Sequence, residues 1–290
     1  MPRVLIAGCG YVGQAAADLF FDGGWEVEGW TRSPESAGAL SGKPYPVIPV
    51  DIAQRDQVKA RPENFDAMIL CASTRGGGAG IYRQVYLNGA RNLLTRFVGA
   101  TIAFTSSTSV YAQKDGSLVT EESATEPAQE TGRILLETEK VVLDCGGIVA
   151  RLAGIYGPGR SALLRKFLAG EAILDPDNDR FINQAHRDDI ASALFLLVTR
   201  KSLARQIYNV VDDQPILQSE CYRWLAAKLN RPVPSVRRSV SERKRGESNK
   251  RVSNAKLRAF GWRPRYPTFA EAMEKSILPR WIGRSADDAN

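Results

Sequence analysis

The feature that most constrains the fold is the start of the chain, where a short apolar run leads into a glycine-rich turn. Residues 4–7 are apolar without a break, which is typical of a strand buried on both faces. The pattern Gly8-x-Gly10-x-x-Gly13 follows at once, and small apolar residues then recur at helical spacing. Because strand, glycine loop and helix come in this order, the pattern predicts a binding site for a dinucleotide. An ordinary glycine-rich turn is the alternative interpretation.

Each glycine of this loop has its own predicted role. Gly8 lets the chain turn sharply, Gly10 lets the backbone approach a pyrophosphate, and Gly13 lets the helix pack closely on the strand. The free N–H groups at the start of the helix, where Tyr11 and Val12 lie, would bind the pyrophosphate together with the positive end of the helix dipole. All five residues are therefore predicted to contact the cofactor.

The end of the second predicted strand bears on the choice of cofactor. Residues 25–30 alternate in the manner of a strand and lead into Thr31, Arg32 and Ser33. Folds of this kind that bind NAD usually carry an acidic residue here, against the ribose hydroxyls. Arg32 suits the 2′-phosphate of NADP instead, with Thr31 and Ser33 beside it, so the sequence favours NADP(H) over NAD(H). Alternatively, Arg32 is only a surface residue of a polar loop.

Strands and helices alternate along most of the chain. Further strands are predicted at residues 46–50, 65–71, 101–105, 148–152 and 207–211, and helices at 81–97, 133–143, 161–168 and 188–198. Alternating elements with short connections predict an α/β fold with a doubly wound parallel sheet.

Two units are expected within this fold. Residues 1–155 and 184–211 are predicted to form the nucleotide-binding core, and residues 156–183 and 212–290 a small, mostly helical substrate-binding subdomain. The charged run 237–251, which follows two prolines, is predicted to be mobile.

Composition excludes several classes of protein. The chain of 290 residues shows no signal-peptide pattern, and its longest apolar stretch outside the strands, 191–198, is too short to cross a membrane. Cys9, Cys71, Cys145 and Cys221 are widely scattered, which argues against a disulfide framework and against a metal site. The sequence therefore predicts a soluble protein of the cytoplasm with no membrane contact and no bound metal.

The formal net charge of +7 is unevenly distributed. Residues 223–265 contain fourteen Lys and Arg against two Glu, so the rest of the chain is net negative. Such a segment can contact the phosphates of a small substrate, bind nucleic acid or form a solvated loop. Nucleic acid is the weakest of these, because the basic residues are not interleaved with exposed-looking aromatic residues in the manner of a nucleic-acid-binding module. A small molecule, with a phosphate group as an open feature, is the expected partner.

Several motifs together carry a family resemblance along nearly the whole chain. They are Gly8-x-Gly10-x-x-Gly13, Asp51 after the third strand, Asn88-Gly89-x-Arg91-Asn92-Leu93-Leu94, Thr105-Ser106-Ser107-Thr108-Ser109-Val110-Tyr111, Tyr156-Gly157-Pro158-Gly159, His186-Arg187-Asp188-Asp189 and Tyr208-Asn209-Val210. In this order and spacing they resemble the extended short-chain dehydrogenases/reductases, the NAD(P)-dependent epimerase/dehydratase family. The resemblance implies a Rossmann-type fold, an NAD(P) cofactor and a small polar substrate, with sugar nucleotides as candidates.

The resemblance also implies roles for individual residues. Asp51 and Ile52 would lie at the adenine, and Ala72 would line the cofactor cleft. Ser107 falls where the family keeps the Ser or Thr that hydrogen-bonds the reacting oxygen. The remaining cofactor-binding residues are predicted to be Ser73, Thr74, Thr105 and Ser106.

The chain departs from the family at the catalytic pair. Members normally carry a Tyr-x-x-x-Lys motif on the helix that follows the serine strand, which is the predicted strand 101–105 that leads into the serine motif. The tyrosine of that motif is the general acid/base, and the lysine lowers the pKa of the tyrosine. Alignment of that helix puts Thr131 at the tyrosine position and Leu135 at the lysine position. An aliphatic hydroxyl is a far weaker acid than a phenol, and leucine carries no charge. The chain thus resembles atypical members of the family, and Thr131 is a candidate catalytic residue only by position.

Other side chains are candidates for the missing proton transfer. His186 is the sole histidine, and an imidazole titrates near neutral pH, although His186-Arg187-Asp188 also resembles a structural turn of the family. Tyr111 and Tyr156 follow predicted strand ends near the cleft, with simple packing as the alternative for each.

Three arginines, Arg133, Arg151 and Arg160, are candidates to line the cleft and clamp a carboxylate or phosphate. For Arg151, which ends a predicted strand, a buried ion pair is the alternative.

Two kinds of function stay open from the sequence. The favoured one is an NAD(P)-dependent oxidoreductase, epimerase or dehydratase in which His186, a tyrosine or the substrate itself supplies the missing acid/base group. The other is a non-catalytic NADP(H)-binding sensor. The resemblance also leaves a homodimer open, through helices 81–97 and 133–143.

Overall fold

The computed structural model describes residues 1–74, 76–237 and 248–281 and is built around one parallel sheet. Its seven strands are Arg3–Ala7, Glu26–Thr31, Val47–Pro49, Ala67–Leu70, Thr101–Ser107, Ile148–Leu152 and Ile207–Val210. Counted along the chain, they lie in the order seven, six, five, four, one, two, three. The order reverses between the first and fourth strands, which is where open α/β sheets bind ligands. The predicted α/β fold with a doubly wound parallel sheet is confirmed.

The strands form where the sequence is apolar on both faces. Every residue of Ala67–Leu70 and of Ile148–Leu152 is buried, which explains why these stretches do not alternate. Val47–Pro49 is shorter than predicted, because it is the edge strand and ends in a proline, which an edge tolerates. Thr101–Ser107 is longer than predicted, because it keeps its pairing with the sixth strand as far as Ser107.

Helices cover the sheet. Among the described residues, the α-helices are Tyr11–Asp22, Pro34–Gly38, Arg55–Lys59, Ala79–Tyr82, Gly89–Arg96, Glu130–Asp144, Ala162–Leu168, Arg187–Thr199, Gln218–Lys228, Ala255–Ala259 and Phe269–Ala272. The first of them packs on Arg187–Thr199, with the Phe20 and Phe195 ring centroids 4.8 Å apart. The helix predicted at 81–97 is interrupted by the wider π-helical turn Arg83–Asn88, and a second such turn, Met273–Ile277, follows the last helix.

Short strand pairs lie outside the main sheet. The pairs are Gln184–His186 with Gly154–Tyr156, Phe181–Ile182 with Ile216–Leu217, and Leu118–Val119 with Arg251–Val252. The last pair ties the basic C-terminal part to the loop that follows the fifth strand.

Buried apolar side chains form two clusters. The larger one contains the sheet and the helices that cover it. The smaller one draws its members from residues 156–174, 221–226 and 266–278, all within the range predicted for the substrate-binding subdomain. In that same range, Val252, Leu257 and Trp262 pack into the larger cluster instead. The division into two subdomains stays a prediction.

The charged run 237–251, which was predicted to be mobile, is described only in part. Residues 238–247 lie outside the described residues. The end of the run, by contrast, is fixed: Lys250 is 4% exposed, and the Arg251 amide donates to the carbonyl of Ser117 at 2.8 Å. For this end the prediction of mobility is wrong, because backbone pairing with residues 116–119 was not visible in the sequence.

Two kinds of feature are absent from the described residues. None of the helices there is both long enough and apolar enough to span a bilayer. In the same ranges, no three His, Cys, Asp or Glu side chains converge as metal ligands would.

Candidate functional site

The glycine loop lies between the carboxyl ends of the first and fourth strands. Gly8 has a φ of +107°, and a Cβ there would lie 2.2 Å from the Ala72 backbone nitrogen. A Cβ on Gly13 would lie 2.2 Å from the carbonyl oxygen of Gly8. Both positions therefore require glycine, the first for the turn and its approach to the fourth strand, the second for contact between helix and loop.

Gly10 differs from the other two glycines, since no atom lies within 4 Å of the position that its Cβ would take. It faces open space at the start of the helix Tyr11–Asp22, where no side chain caps the helix and no acidic residue occupies the first turn. The N–H groups of Tyr11 and Val12 therefore have no competing carboxylate beside them, and the helix dipole adds a partial positive charge. The loop fits the pyrophosphate of a dinucleotide.

The loop after the second strand holds the three residues predicted to meet the ribose. Thr31 is buried and its hydroxyl donates to the Ser33 carbonyl at 3.3 Å. The Ser33 side chain caps the helix Pro34–Gly38. Arg32 is exposed between them and has no ion pair within the described residues. Both interpretations of Arg32 are compatible with this geometry.

Two distant motifs meet at the end of the third strand. The Asn92 side-chain amide donates to the carbonyl of Ile52 at 2.9 Å, and a Cβ on Gly89 would lie 2.8 Å from the Ile52 Cδ1. The Asp51 carboxylate accepts from the Ala53 amide at 3.0 Å and shapes the same turn. The helix that carries Gly89 and Asn92 therefore fixes the loop predicted to contact adenine.

The end of the fourth strand borders the glycine loop. Ala72 is half-buried beside Gly8, as its short distance to the Gly8 Cβ position shows. Ser73 is exposed, and the Thr74 hydroxyl accepts from the amide of Gly76 at 3.3 Å. From the fifth strand, the Thr105 hydroxyl donates to the last carbonyl of the fourth strand at 3.2 Å. These residues therefore lie along one edge of the sheet, beside the loop.

Ser106 and Ser107 point to opposite faces of the sheet, because side chains alternate along a strand. The Ser106 hydroxyl is buried and donates to Glu139 Oε1 at 2.5 Å, so it is engaged inside the protein. Ser107 is half-buried, and its oxygen accepts from the amide of Ser109 at 3.1 Å. The Ser107 proton has no acceptor among the described residues, so this hydroxyl can donate to a bound oxygen.

A buried ion pair lies behind the serine strand. Arg151 Nη2 is 2.7 Å from Glu139 Oε2, with both side chains at most 4% exposed. Arg151 therefore forms the buried pair that was the alternative to a clamp in the cleft. Its guanidinium carbon also lies 4.8 Å from the Tyr111 ring centroid. The Tyr111 hydroxyl donates to Asn209 Oδ1 at 2.8 Å, and burial raises the pKa of Tyr111. This geometry favours packing over catalysis for Tyr111.

The helix that would carry the family's catalytic pair starts beside residues 107–111, which end the fifth strand and are called the serine turn. Thr131 is its second residue and is half-buried. Leu135, one turn later, is buried in the larger apolar cluster. Arg133 points outward and donates to the Ala128 carbonyl at 3.1 Å. At these positions the helix thus offers one hydroxyl and no cation toward the cleft.

His186 is fully buried and both of its ring nitrogens have partners. Nε2 lies 3.0 Å from the Ser276 hydroxyl, and Nδ1 accepts from the amide of Asp188 at 3.2 Å. The ring packs on Tyr266 at 4.0 Å between centroids, and on Tyr156. Burial lowers the pKa of His186 to about 4, so it is neutral at physiological pH. This environment favours the structural interpretation of His186. Tyr156 is also buried, and burial raises its pKa, which favours packing for this residue too.

Sequence reasoning missed Lys250. Its ammonium is buried and donates to the Tyr111 carbonyl at 2.8 Å, at the end of the serine turn. The Asn183 side chain holds the Lys250 backbone, donating to its carbonyl at 2.9 Å and accepting from the Val252 amide at 2.7 Å. Burial lowers the pKa of Lys250 to about 8. No signal separated this lysine from its basic neighbours, since its role depends on a strand pairing between distant segments.

Of the three candidate cleft arginines, Arg160 is the one that lies at the glycine loop. Its guanidinium carbon is 5.4 Å from the Tyr11 ring centroid. Arg187, which the sequence analysis placed only in a structural turn, lies 5.2 Å from the same ring. The structure thus brings two arginines to the start of the nucleotide helix.

Several known proteins are similar to this chain over most of its length. Protein YeeZ from Escherichia coli (strain K12) is 29% identical over 255 residues, which are 84% of this chain and 90% of YeeZ. A structure from Methylobacillus flagellatus, described as a candidate NAD-dependent epimerase/dehydratase, is 27% identical with a TM-score of 0.75 and covers 94% of this chain and 97% of its own. DesIV, a dTDP-glucose 4,6-dehydratase from Streptomyces venezuelae solved with NAD and TYD bound, has a TM-score of 0.81 at 19% identity over 98% and 97% of the two chains. At that identity the likeness shows the fold alone.

A family model, the NAD dependent epimerase/dehydratase family, matches residues 4–210. The match runs from the first strand of the sheet to the end of the seventh, and so includes the glycine loop, the serine turn and the His186 turn. The resemblance drawn from the motifs is confirmed, and this chain belongs to the NAD-dependent epimerase/dehydratase family.

Proposed function

We propose that this protein is an NAD(P)-dependent oxidoreductase or epimerase that acts on a small polar molecule. The observation that carries the proposal is Gly10, which faces open space above an uncapped helix start, while its neighbours Gly8 and Gly13 are held by contacts that only glycine permits. When bound, the nicotinamide supplies the hydride chemistry, so the protein has only to hold and orient the reactants.

The proposed cofactor contacts follow the sheet edge. The amides of Tyr11 and Val12, with the three glycines, hold the pyrophosphate. The ends of the second and fifth strands contribute Thr31, Thr105 and Ser106. The loops after the second, third and fourth strands contribute Arg32, Ser33, Asp51, Ile52, Ala72, Ser73 and Thr74. The hydroxyl of Ser106 faces Glu139, so its contact with the cofactor would be through the backbone.

Ser107 is proposed to donate a hydrogen bond to the reacting oxygen of the substrate. The Ser107 proton, which has no acceptor among the described residues, supports this role, and Thr131 at the start of the neighbouring helix is a second candidate hydroxyl that is half-buried. Tyr111 and His186 are both buried with satisfied polar atoms, which leaves the substrate itself as the proposed source of the proton. Sugar nucleotides are the proposed substrates, with support from the dehydratase DesIV, which shares this fold.

Oxidoreductase activity is tested by following nicotinamide absorbance, and epimerase activity, which returns the hydride and consumes no NADPH, by chromatography of the sugar nucleotides. Purified protein and NADPH are mixed with a panel of carbonyl compounds and sugar nucleotides. We expect consumption of NADPH that falls at least ten-fold in Ser107→Ala, because the donor to the reacting oxygen is lost. Ser109→Ala is the matched control, since the amide that binds Ser107 is retained. Equal rates of NADPH consumption in the two variants would contradict the proposed role of the Ser107 hydroxyl.

NADP(H) is proposed as the preferred cofactor, on the ground of the exposed Arg32, for which the described part of the chain offers no ion-pair partner. Fluorescence titration should show that Arg32→Ala weakens NADPH binding by about ten-fold and leaves NADH binding unchanged. Lys140→Ala, on an exposed ion pair with Asp144, is the control. Equal loss for both cofactors would contradict the assignment.

A non-catalytic NADP(H) sensor is the second candidate, favoured by the buried Leu135 at the position of the family's lysine. It predicts tight binding of NADPH with neither consumption of NADPH nor conversion of any sugar nucleotide across the whole panel. We further propose a cytoplasmic location, consistent with four free cysteines, and a homodimer through the helices Gly89–Arg96 and Glu130–Asp144. Light scattering of the purified protein tests the dimer.

A further inference from the structure

Tyr11 connects the glycine loop to the loop that follows the sixth strand. It is the first residue of the nucleotide helix, and its hydroxyl donates to the Pro158 carbonyl at 3.0 Å. Gly157 has a φ of +149°, and a Cβ there would lie 2.7 Å from the Tyr11 hydroxyl oxygen. Glycine at this position therefore lets the two loops touch.

Backbone structure fixes two arginines beside this contact. Gly157 and Arg160 exchange two hydrogen bonds of 2.9 Å, which close a tight turn at the base of Arg160. Arg187 is the first residue of the helix Arg187–Thr199, which His186 caps. Both guanidinium groups lie within 5.5 Å of the Tyr11 ring centroid. Their backbone positions therefore follow from fixed elements, while the Arg160 side chain is exposed and that of Arg187 is 24% exposed.

The charge around Tyr11 is strongly positive. The charged groups that act electrostatically on its hydroxyl are Arg160, Arg187, Arg280 and Asp188, and the first two also lie at its ring. Asp188 is paired with Arg187, Nε to Oδ1 at 2.8 Å, whereas Arg160 has no ion pair among the described residues. The positive end of the nucleotide helix adds to this field, and no acidic residue occupies the first turn. Like charges gathered around one helix start are a typical arrangement for binding a multivalent anion.

We propose that Arg160 and Arg187 form a cationic side of the glycine-loop site and bind a diphosphate there, together with the helix N–H groups. The inference rests on the proposed function, since the diphosphate is either the pyrophosphate of the dinucleotide or that of a sugar-nucleotide substrate. Planar guanidinium groups suit phosphate oxygens because each presents paired N–H donors. Arg133 and Arg151 are not part of this site, because the first points outward and the second is held by Glu139.

Titration calorimetry with three probes tests the proposal. NADH contains the complete cofactor, ADP-ribose contains its pyrophosphate without nicotinamide, and UDP contains the diphosphate of a sugar nucleotide. We expect Arg160→Gln and Arg187→Gln each to weaken binding of at least one probe by about ten-fold, and the dependence of that affinity on salt to become shallower. Adenosine, which has no phosphate, should bind the variants and the wild type alike.

The controls separate charge from structure. Arg165→Gln, on the exposed face of the next helix, removes a similar charge away from Tyr11 and should change none of the affinities. Arg160→Lys keeps the charge without the paired donors and should restore part of the lost affinity. Thermal unfolding of each variant checks that the fold is intact.

The outcomes are distinct. Weaker NADH and ADP-ribose binding supports the proposal with the cofactor as the source of the diphosphate, and weaker UDP binding alone supports it with the substrate as the source. Unchanged affinity for all three probes in both arginine variants would overturn it. If the wild type binds UDP but neither NADH nor NADPH, the proposed cofactor function fails, and the UDP titrations still decide the role of the arginines.

Discussion

The glycine loop and the serine turn lie along the same edge of the sheet, but they are constructed in opposite ways. The loop depends on side chains that are absent: Gly8 and Gly13 permit close contacts, and Gly10 leaves open space. The serine turn depends on side chains that come from elsewhere, since Glu139 holds the strand below it and Lys250 holds the carbonyl at its end. A site formed by backbone is encoded locally, whereas a site formed by distant side chains needs the whole fold.

The largest expected effect tests whether the serine end depends on its buried ion pair. Glu139→Gln leaves the buried Arg151 without a charged partner, which should lower the free energy of unfolding by about 3–5 kcal/mol. Glu137→Gln, on the same helix, removes an exposed partner of Arg83 and Arg91 and should cost less than about 1 kcal/mol. Urea denaturation at neutral pH measures both. A similar small loss in the two variants would mean that the pair does not support the serine strand.

A second test separates the glycines. Gly13→Ala places a Cβ against the Gly8 carbonyl and should lower the free energy of unfolding by up to about 3 kcal/mol. Gly10→Ala meets no atom, so its stability should match the wild type while its affinity for NADH falls. Thermal unfolding and cofactor titration give the two readouts. If Gly10→Ala bound NADH as well as the wild type does, the open space would not be the cofactor's.

The third test concerns His186 and acid. Its pKa is about 4 in the folded state and about 6.5 in the unfolded state, so the unfolded chain binds more protons between these values. Its contribution to stability therefore falls as the pH drops through this range, by about 2 kcal/mol between pH 6.5 and 5. Asp189, whose pKa burial raises to about 6, acts in the opposite direction in the same range.

A difference measurement isolates the histidine. The wild type should lose about 2 kcal/mol more than His186→Gln when the pH is lowered from 6.5 to 5, measured by urea denaturation. Because the chain has a single histidine, its ring protons also give one NMR titration. A pKa between 6 and 7 in that titration would restore His186 as a candidate acid/base.

The smallest expected effect concerns Lys250. Lys250→Met loses the hydrogen bond to Tyr111 but also removes a buried ammonium, so the two contributions should cancel to within about 1 kcal/mol at pH 7. The folded-state pKa of about 8 lies below the usual 10.5, so the wild type should gain stability relative to the variant as the pH rises from 8 to 10. An unchanged difference across this range would contradict the lowered pKa.

The comparison also explains which parts of the molecule could be predicted. The first strand, the glycine loop and the helix after it are adjacent in sequence, and their order was sufficient to predict their geometry. The absence of the family's lysine at the position of Leu135 stays a prediction, because it depends on an alignment along one helix. These features depend on residues within one turn or one strand of each other.

Other parts depended on contacts that spacing does not reveal. Arg187 and Arg160 meet at Tyr11 from separate elements, and Tyr111 is satisfied by Asn209, 98 positions further on. Lys250 stands in a basic run that favoured a solvated loop, and only its pairing beside residues 117–119 buries it. Side-chain partners at such separations are fixed by topology, which a local pattern does not contain.

The large sequence separation between Lys250 and Tyr111 affects the order in which parts of the protein can fold during synthesis. The partner carbonyl of Lys250, at Tyr111, lies 139 positions earlier, so the chain emerges from the ribosome with its nucleotide loop long before this bond can form. In a nascent polypeptide the glycine loop would therefore be present first, and the contact of Lys250 beside the serine turn would form last. A cofactor that binds the glycine loop during translation would then meet a chain whose C-terminal part has not yet been added.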